Sequence, residues 1–313
     1  MKKIMLISIL LLLFLSSADA AQYRLNSMFS LTNDTDHEIQ YIYGIGSDVI
    51  FDRKNDDRLS LFIGQKQFRN DHQELLLGKK EETFNFLTIN VGKRFNTLRL
   101  DGKLSLYDGK HWSPGLYSGY AAFDPSSKWH LEASAERDLV DSLAAIDQRL
   151  YVDSYSASLN FNITPVWTVV GAYTHQFITD GNDREIEWLK VYYLPQKVDW
   201  LRLEAYGKHL TSEVTGFGYF SPRKLWESMV IAQASIPFAS DQFAVKLRGG
   251  IGLQFVNNET GKIASLIELK IKGWFSDHWG LDVTGGFTNQ SSTITSGTSY
   301  SRYYGTLLMT YAF

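Results

Sequence analysis

Histidine beside carboxylates is the first chemistry this chain offers. The stretch GAYTHQFITDGNDRE at 171–185 sets His175 shortly before Asp180 and Asp183. An imidazole oriented by a carboxylate is a general base, and with a serine it would make a hydrolytic site. No serine lies in that stretch, and a single strand histidine equally serves as a polar pore-lining group. The other histidines weighed, His72, His130 and His209, have no metal-ligand spacing. Cysteine is absent, which removes thiolate chemistry, disulfides and thiolate metal sites. No metal and no cofactor is implied.

The elements that would carry such residues read as strands. In SRYYGTLLMTYAF, Tyr303, Gly305, Leu307, Met309, Tyr311 and Phe313 share one face, and Arg302, Tyr304, Thr306, Leu308, Thr310 and Ala312 share the other. Segments of this kind recur at 22–33, 38–52, 58–69, 83–95, 98–108, 116–123, 129–138, 149–163, 167–179, 185–194, 200–211, 225–237, 242–256, 262–275, 279–290 and 300–313. An even set of sixteen short alternating segments predicts an all-β fold: a transmembrane antiparallel up-and-down β-barrel of the bacterial outer membrane.

Charge follows the same period. Arg202, Glu204, Tyr206 and Lys208 alternate with Leu201, Leu203 and Ala205. Lys246 and Arg248 alternate with Val245 and Leu247, and Glu268, Lys270 and Lys272 with Ile267, Leu269 and Ile271. His130, Glu132, Ser134 and Glu136 follow Trp129 in the same way. A strand places all these groups on one side, whereas a helix would spread them around a cylinder. They are candidates for a wet lumen, since charge on a lipid face is costly. The near balance of sign on these faces favours a neutral or weakly charged solute.

Connections alternate too. SSKWHL, TPVWTV, KVDWLRL and SDHWGL are tight turns followed by Trp129, Trp167, Trp200 and Trp279. The intervening connections are longer. Short periplasmic turns and long outer loops are the barrel pattern, and the four indoles would form a periplasmic interfacial belt. Phe313, with Tyr311 and Met309 on its face, resembles the terminal signal read by barrel-assembly machinery.

The first residues form an export signal. Lys2 and Lys3 precede an apolar run from Ile4 to Leu15, and Ala18-Asp19-Ala20 is a small-x-small cleavage site. Cleavage after Ala20 leaves residues 21–313 as one barrel domain. It takes the 31 basic residues to 29 and the 34 acidic residues to 33. That balance describes no nucleic-acid surface. No later stretch approaches the ~20 apolar residues of a spanning helix.

Two stretches carry a resemblance. GFGYFSPRKLWESMVIAQASIPF at 216–238 and ERDLVDSLAA at 136–145 resemble loops of bacterial exopolysaccharide export porins, the group that includes the C-terminal barrel of the cellulose synthase operon porin and the poly-N-acetylglucosamine export porin. The resemblance implies a sixteen-stranded barrel. It assigns Tyr219, Phe220, Ser221 and Pro222 to one outer loop, and Arg137, Asp141 and Ser142 to another. Tyr219 and Phe220 would either offer flat faces to sugar rings or pack the loop shut. Members of that group usually carry periplasmic helical repeats; here strand-like sequence follows the signal, so either a separate scaffold protein supplies that part or the barrel is a relative with a changed task.

The expectation is an outer-membrane pore for a biofilm-type polysaccharide, not an enzyme. Its partners are outer-membrane lipid, the assembly machinery, the scaffold and the polymer. The alternatives are a general or substrate-selective passive porin, and a barrel hydrolase built on His175.

Overall fold

The structure is a computed structural model that describes residues 22–34, 38–52, 57–70, 81–214, 219–238, 242–257, 259–289 and 301–313. The export segment, His72 and the glycines of the GFG stretch lie outside the described residues.

Sixteen strands make one sheet. They are β1 (Gln22–Asp34), β2 (Glu38–Asp52), β3 (Asp57–Asn70), β4 (Glu81–Phe95), β5 (Leu98–Gly109), β6 (Gly115–Ser126), β7 (Trp129–Leu139) and β8 (Tyr151–Thr164). They continue as β9 (Trp167–Ile178), β10 (Asn182–Tyr193), β11 (Leu201–Ser212), β12 (Lys224–Phe238), β13 (Phe243–Val256), β14 (Lys262–Trp274), β15 (Trp279–Thr288) and β16 (Arg302–Ala312). Each pairs antiparallel with the next. β1 closes on β16, from Arg24 opposite Ala312 to Asp34 opposite Arg302. Closure leaves no unpaired edge, which lipid would not tolerate.

Period-two patterning sets the two faces. Outward positions carry large apolar groups, among them Ile251 at 64%, Ile263 at 61% and Val230 at 64% exposure. So much exposed aliphatic surface would be unfavourable in water and suits a lipid-facing wall. Trp129, Trp167, Trp200 and Trp279 are all exposed at the end of the barrel that holds the chain termini. Trp129 stacks on Phe161 (4.3 Å), Trp167 lies against Tyr193 (4.6 Å), and Trp279 meets Tyr311 (4.9 Å). Trp200 sits in the turn just before β11. Phe313 follows β16, packs edge-on against Tyr311 at 4.8 Å and donates its N–H to the Tyr23 carbonyl. Met309 lies on the same outward face, opposite Leu281 of β15.

Boundaries differ from the sequence pattern by a few residues. β6 continues past Phe123 to Ser126, because the ladder resumes after a register shift at the proline, with Ser126 opposite Trp129. β10 begins at Asn182 rather than Glu185, since its first residues pair with Ile178 and Phe177 across a tight turn at Gly181 (φ 87°).

Candidate functional site

The inner wall is polar and ionically paired. Every lumen candidate from the sequence lies on an inward position: Glu132 and Glu136 of β7; Arg202, Glu204, Tyr206 and Lys208 of β11; Lys246 and Arg248 of β13; Glu268 and Lys270 of β14. Glu132 accepts from the Tyr120 hydroxyl (2.5 Å) and from Ser158 (2.9 Å), and lies 2.9 Å from His130 Nε2. His130 Nδ1 in turn lies 2.6 Å from Asp124. Glu136 pairs with Lys103 at 3.6 Å. Glu204, with 2% side-chain exposure, takes Arg248 at 3.2 Å and Lys190 at 3.9 Å. Tyr206 donates to Glu227 (2.9 Å) and Tyr304 to Glu268 (2.6 Å).

The summed charge of these faces conceals an uneven spread. In the half near the termini, inward cations gather on β10–β14. On β3–β6 each cation lies beside a carboxylate: Arg99 and Arg58 share Asp101 (2.6 and 3.9 Å), Arg94 pairs with Asp124 (3.7 Å) and Lys103 with Glu136. Between these walls the inner faces of β8 and β9 are uncharged, joined by Ser156 to Thr174 (2.8 Å) and Gln176 to Ser154 (3.1 Å). A sequence lists signs; only closure shows which strands face each other.

At the far end two connections fold inward. The β7–β8 connection contains α1 (Leu143–Asp147), whose N-cap Ser142 accepts the Ala145 N–H at 3.1 Å, satisfying one orphan donor of the first turn. Its chain leaves β7 and reaches β2, β3 and β4. Asp141 accepts from Lys66 Nζ at 2.7 Å, and the Leu143 N–H meets the Glu38 carboxylate at 3.2 Å. Leu139, Leu143 and Ile146 pack with Phe68, Phe84 and Leu116 of the wall. The β11–β12 connection packs on the other side of α1, with Tyr219 joining Val140, Ala145, Leu150 and Ile178. The two stretches that carry the resemblance therefore touch, although about seventy residues separate them.

Tyr219, Phe220 and Ser221 are 1%, 5% and 4% exposed, and Pro222 is buried with them. The rings thus pack the connection and offer no face to a sugar. Asn182 is wholly buried beneath them. Its amide donates to the Tyr219 oxygen (3.1 Å) and to Ser221 (2.6 Å), and its carbonyl accepts the Val214 N–H (3.1 Å). Arg184 donates to the Phe220 carbonyl at 2.7 Å and lies over the Tyr219 ring. The Tyr219 hydroxyl donates to Asp180 at 2.5 Å; burial, then this bond, pushes the phenol up to about 12.

Three expectations change. Arg137 is not in a loop: it lies in β7 on the outer face, in a bidentate pair with Asp153 (2.7 and 2.6 Å) between Tyr117 and Tyr151. His175 faces outward from β9, so it does not line the lumen, and it does not meet Asp180 or Asp183. It lies 3.4 Å from the Tyr173 hydroxyl and 3.9 Å from Glu185, while Asp180 is committed to Tyr219. His209 also faces outward, stacked on Trp226 at 4.0 Å. Among the described residues no group of three His, Asp or Glu could hold a metal.

Sequence reasoning missed Lys66, Glu38, Asn182 and Arg184. Lys66 and Arg184 carry a weak signal, as charged residues on strand faces otherwise meant for the interior. Asn182 carries none, because its partners come from another connection.

A search of solved structures returns barrels. The chain superposes on a "bacterial polysaccharide outer membrane secretin" with TM-score 0.68 and 12% identity, over 94% of this chain and 98% of that one. The fold is that of a bacterial outer-membrane barrel. A second match, CdiB from Acinetobacter baumannii, has TM-score 0.51 and 9% identity over 91% of this chain and 60% of that one. No family model and no curated protein matches the sequence. At such identities the likeness concerns the barrel itself.

Proposed function

We propose that this barrel is an outer-membrane pore through which a secreted polysaccharide leaves the cell. The observation that carries this reading is the meeting of the two resemblance-bearing connections at the far mouth, where they narrow a lumen lined by polar and aromatic groups. The overlap with a barrel whose name includes polysaccharide secretion supports it. A pore that passes a polymer needs contacts weak enough for release at many sites, and rows of hydroxyls, amides and paired charges supply them. The pore itself performs no bond-making step. The short-turn end faces the periplasm, where a separate helical-repeat scaffold would deliver the chain. The far end is the outer face.

A substrate-selective passive porin is the second reading, favoured by the ion pairs on the inner walls. Fractionation of polysaccharide in a strain lacking the gene separates the two. Polymer lost outside and accumulated in the periplasm supports export. Unchanged polymer, with lowered uptake of a small solute, replaces export by the porin reading.

A further inference from the structure

The cations in the periplasmic half of β10–β14 stand in an arrangement that ordinary sheet energetics would avoid. Lys246 of β13 is directly opposite Lys270 of β14. Like charges at opposed ladder positions destabilise a sheet. Lys272 follows on the same inward face, and the ladder places Asp282 of β15 beside it. That carboxylate bridges instead to Lys270 at 3.1 Å. Among the described residues neither Lys246 nor Lys272 has an ion-pair partner.

The adjoining strands repeat the excess. Arg202 and Arg248 flank Gln233 in register; buried Glu204 is shared by Arg248 and Lys190, and Glu268, opposite Arg248, accepts the Tyr304 hydroxyl, so in this half of β10–β14 two carboxylates serve six cations. Two of these heads are held by rings: Lys190 sits 4.5 Å from the Trp188 centroid, and Arg202 4.6 Å from that of Tyr192. Cations fixed this way are oriented before any ligand arrives, which lowers the ordering cost of binding. On the opposing wall Arg58, Arg94, Arg99 and Lys103 all lie within 4 Å of a carboxylate, and no lysine there stands against another lysine in register. The field therefore runs across the lumen, and walls of low dielectric concentrate it.

We propose that the inner wall of β10–β14 is a track for an anionic saccharide, a chain bearing carboxylates whose charges relieve the repulsion between Lys246 and Lys270. The inference rests on the export reading and specifies its cargo class. It replaces the neutral polymer that the summed charge suggested.

The test is equilibrium binding to the purified full-length barrel in detergent, followed by calorimetry. The probes are oligogalacturonate, a neutral cello-oligosaccharide of equal length, and citrate. Oligogalacturonate is expected to bind at least about tenfold more tightly than the neutral chain, with the preference collapsing as salt rises from about 50 to about 500 mM and screening shortens. Lys246→Gln/Lys270→Gln/Lys272→Gln is expected to abolish the preference, and Lys103→Gln on the opposing wall to keep it. The triple variant also breaks the Lys270–Asp282 pair, so Lys246→Gln/Lys272→Gln, which removes the repulsion and breaks no ion pair, is measured beside it; this double variant should unfold no more easily than the parent and should still lose the preference. Equal binding of neutral and charged chains overturns the anionic track and leaves export standing. Citrate binding as tightly as oligogalacturonate keeps an anion site but overturns the saccharide cargo, and with it the export reading.

Discussion

Replacing Asp141 with Asn should release the β7–β8 connection from the pore mouth. Asp141 lies 2.7 Å from Lys66 Nζ, whose side chain is only 8% exposed. At that separation and an effective dielectric constant of about 20 the attraction is about 6 kcal/mol. Much of this offsets the cost of desolvating both groups. Removing one partner leaves the ammonium buried beside Phe68 and Phe84 without its counter-charge, a loss of about 3–5 kcal/mol. At about 1.4 kcal/mol per decade, the docking equilibrium should weaken between a hundredfold and a few thousandfold. Two readouts follow. Trypsin should cleave after exposed Arg149, whose neighbour Leu150 is 6% exposed in the docked state, far faster than in the parent. Planar-bilayer recordings should show more frequent or larger openings. Lys66→Gln combined with Asp141→Asn should recover only part of the loss: the buried ammonium is gone, but the Asp138 carboxylate loses the Lys66 charge beside it. Cleavage and conductance both within about threefold of the parent would refute the assignment of this pair as the clamp, because a few kcal/mol cannot hide in so small a change.

Asn182→Ala removes three hydrogen bonds from a wholly buried side chain; at about 1 kcal/mol each the β11–β12 connection should loosen by about 2–4 kcal/mol, seen as faster amide exchange at Val214 and Phe220 while the barrel keeps its heat-modifiable mobility. The Tyr219 phenol should ionise near pH 12 rather than near its ordinary 10. Because the docked phenol holds its proton more tightly than the free one, docking is fully favoured below about pH 10 and weakens as pH climbs from there toward 12; comparing the ultraviolet titration of the parent with that of Tyr219→Phe isolates this step, and a midpoint near 10 would show that the ring is not docked. Gly252→Val should block assembly, since a Cβ there would fall 1.8 Å from the Ser228 carbonyl oxygen of the paired strand; a folded, heat-modifiable band at parental yield would refute that constraint.

The sequence determined the barrel. Alternation of apolar and polar residues is a local property with period two, and it places Arg202, Glu204, Lys246, Arg248 and Glu268 on the inner face without knowledge of any neighbour. Four Trp-bearing turns marked one end for the same reason, each being a short run of adjacent residues. Tertiary structure alone decided what the inner face does. It set Lys246 against Lys270, gathered the surplus cations on β10–β14, kept Asp180 and Asp183 from His175, and carried Asp141 to Lys66 on β3. It also buried Tyr219 and Phe220, which the sequence left open between sugar contact and packing. These outcomes depend on register, on closure of β1 upon β16 and on the path of connections across the mouth. Each joins residues distant in the chain, and no periodicity within a segment encodes which distant segment will face it.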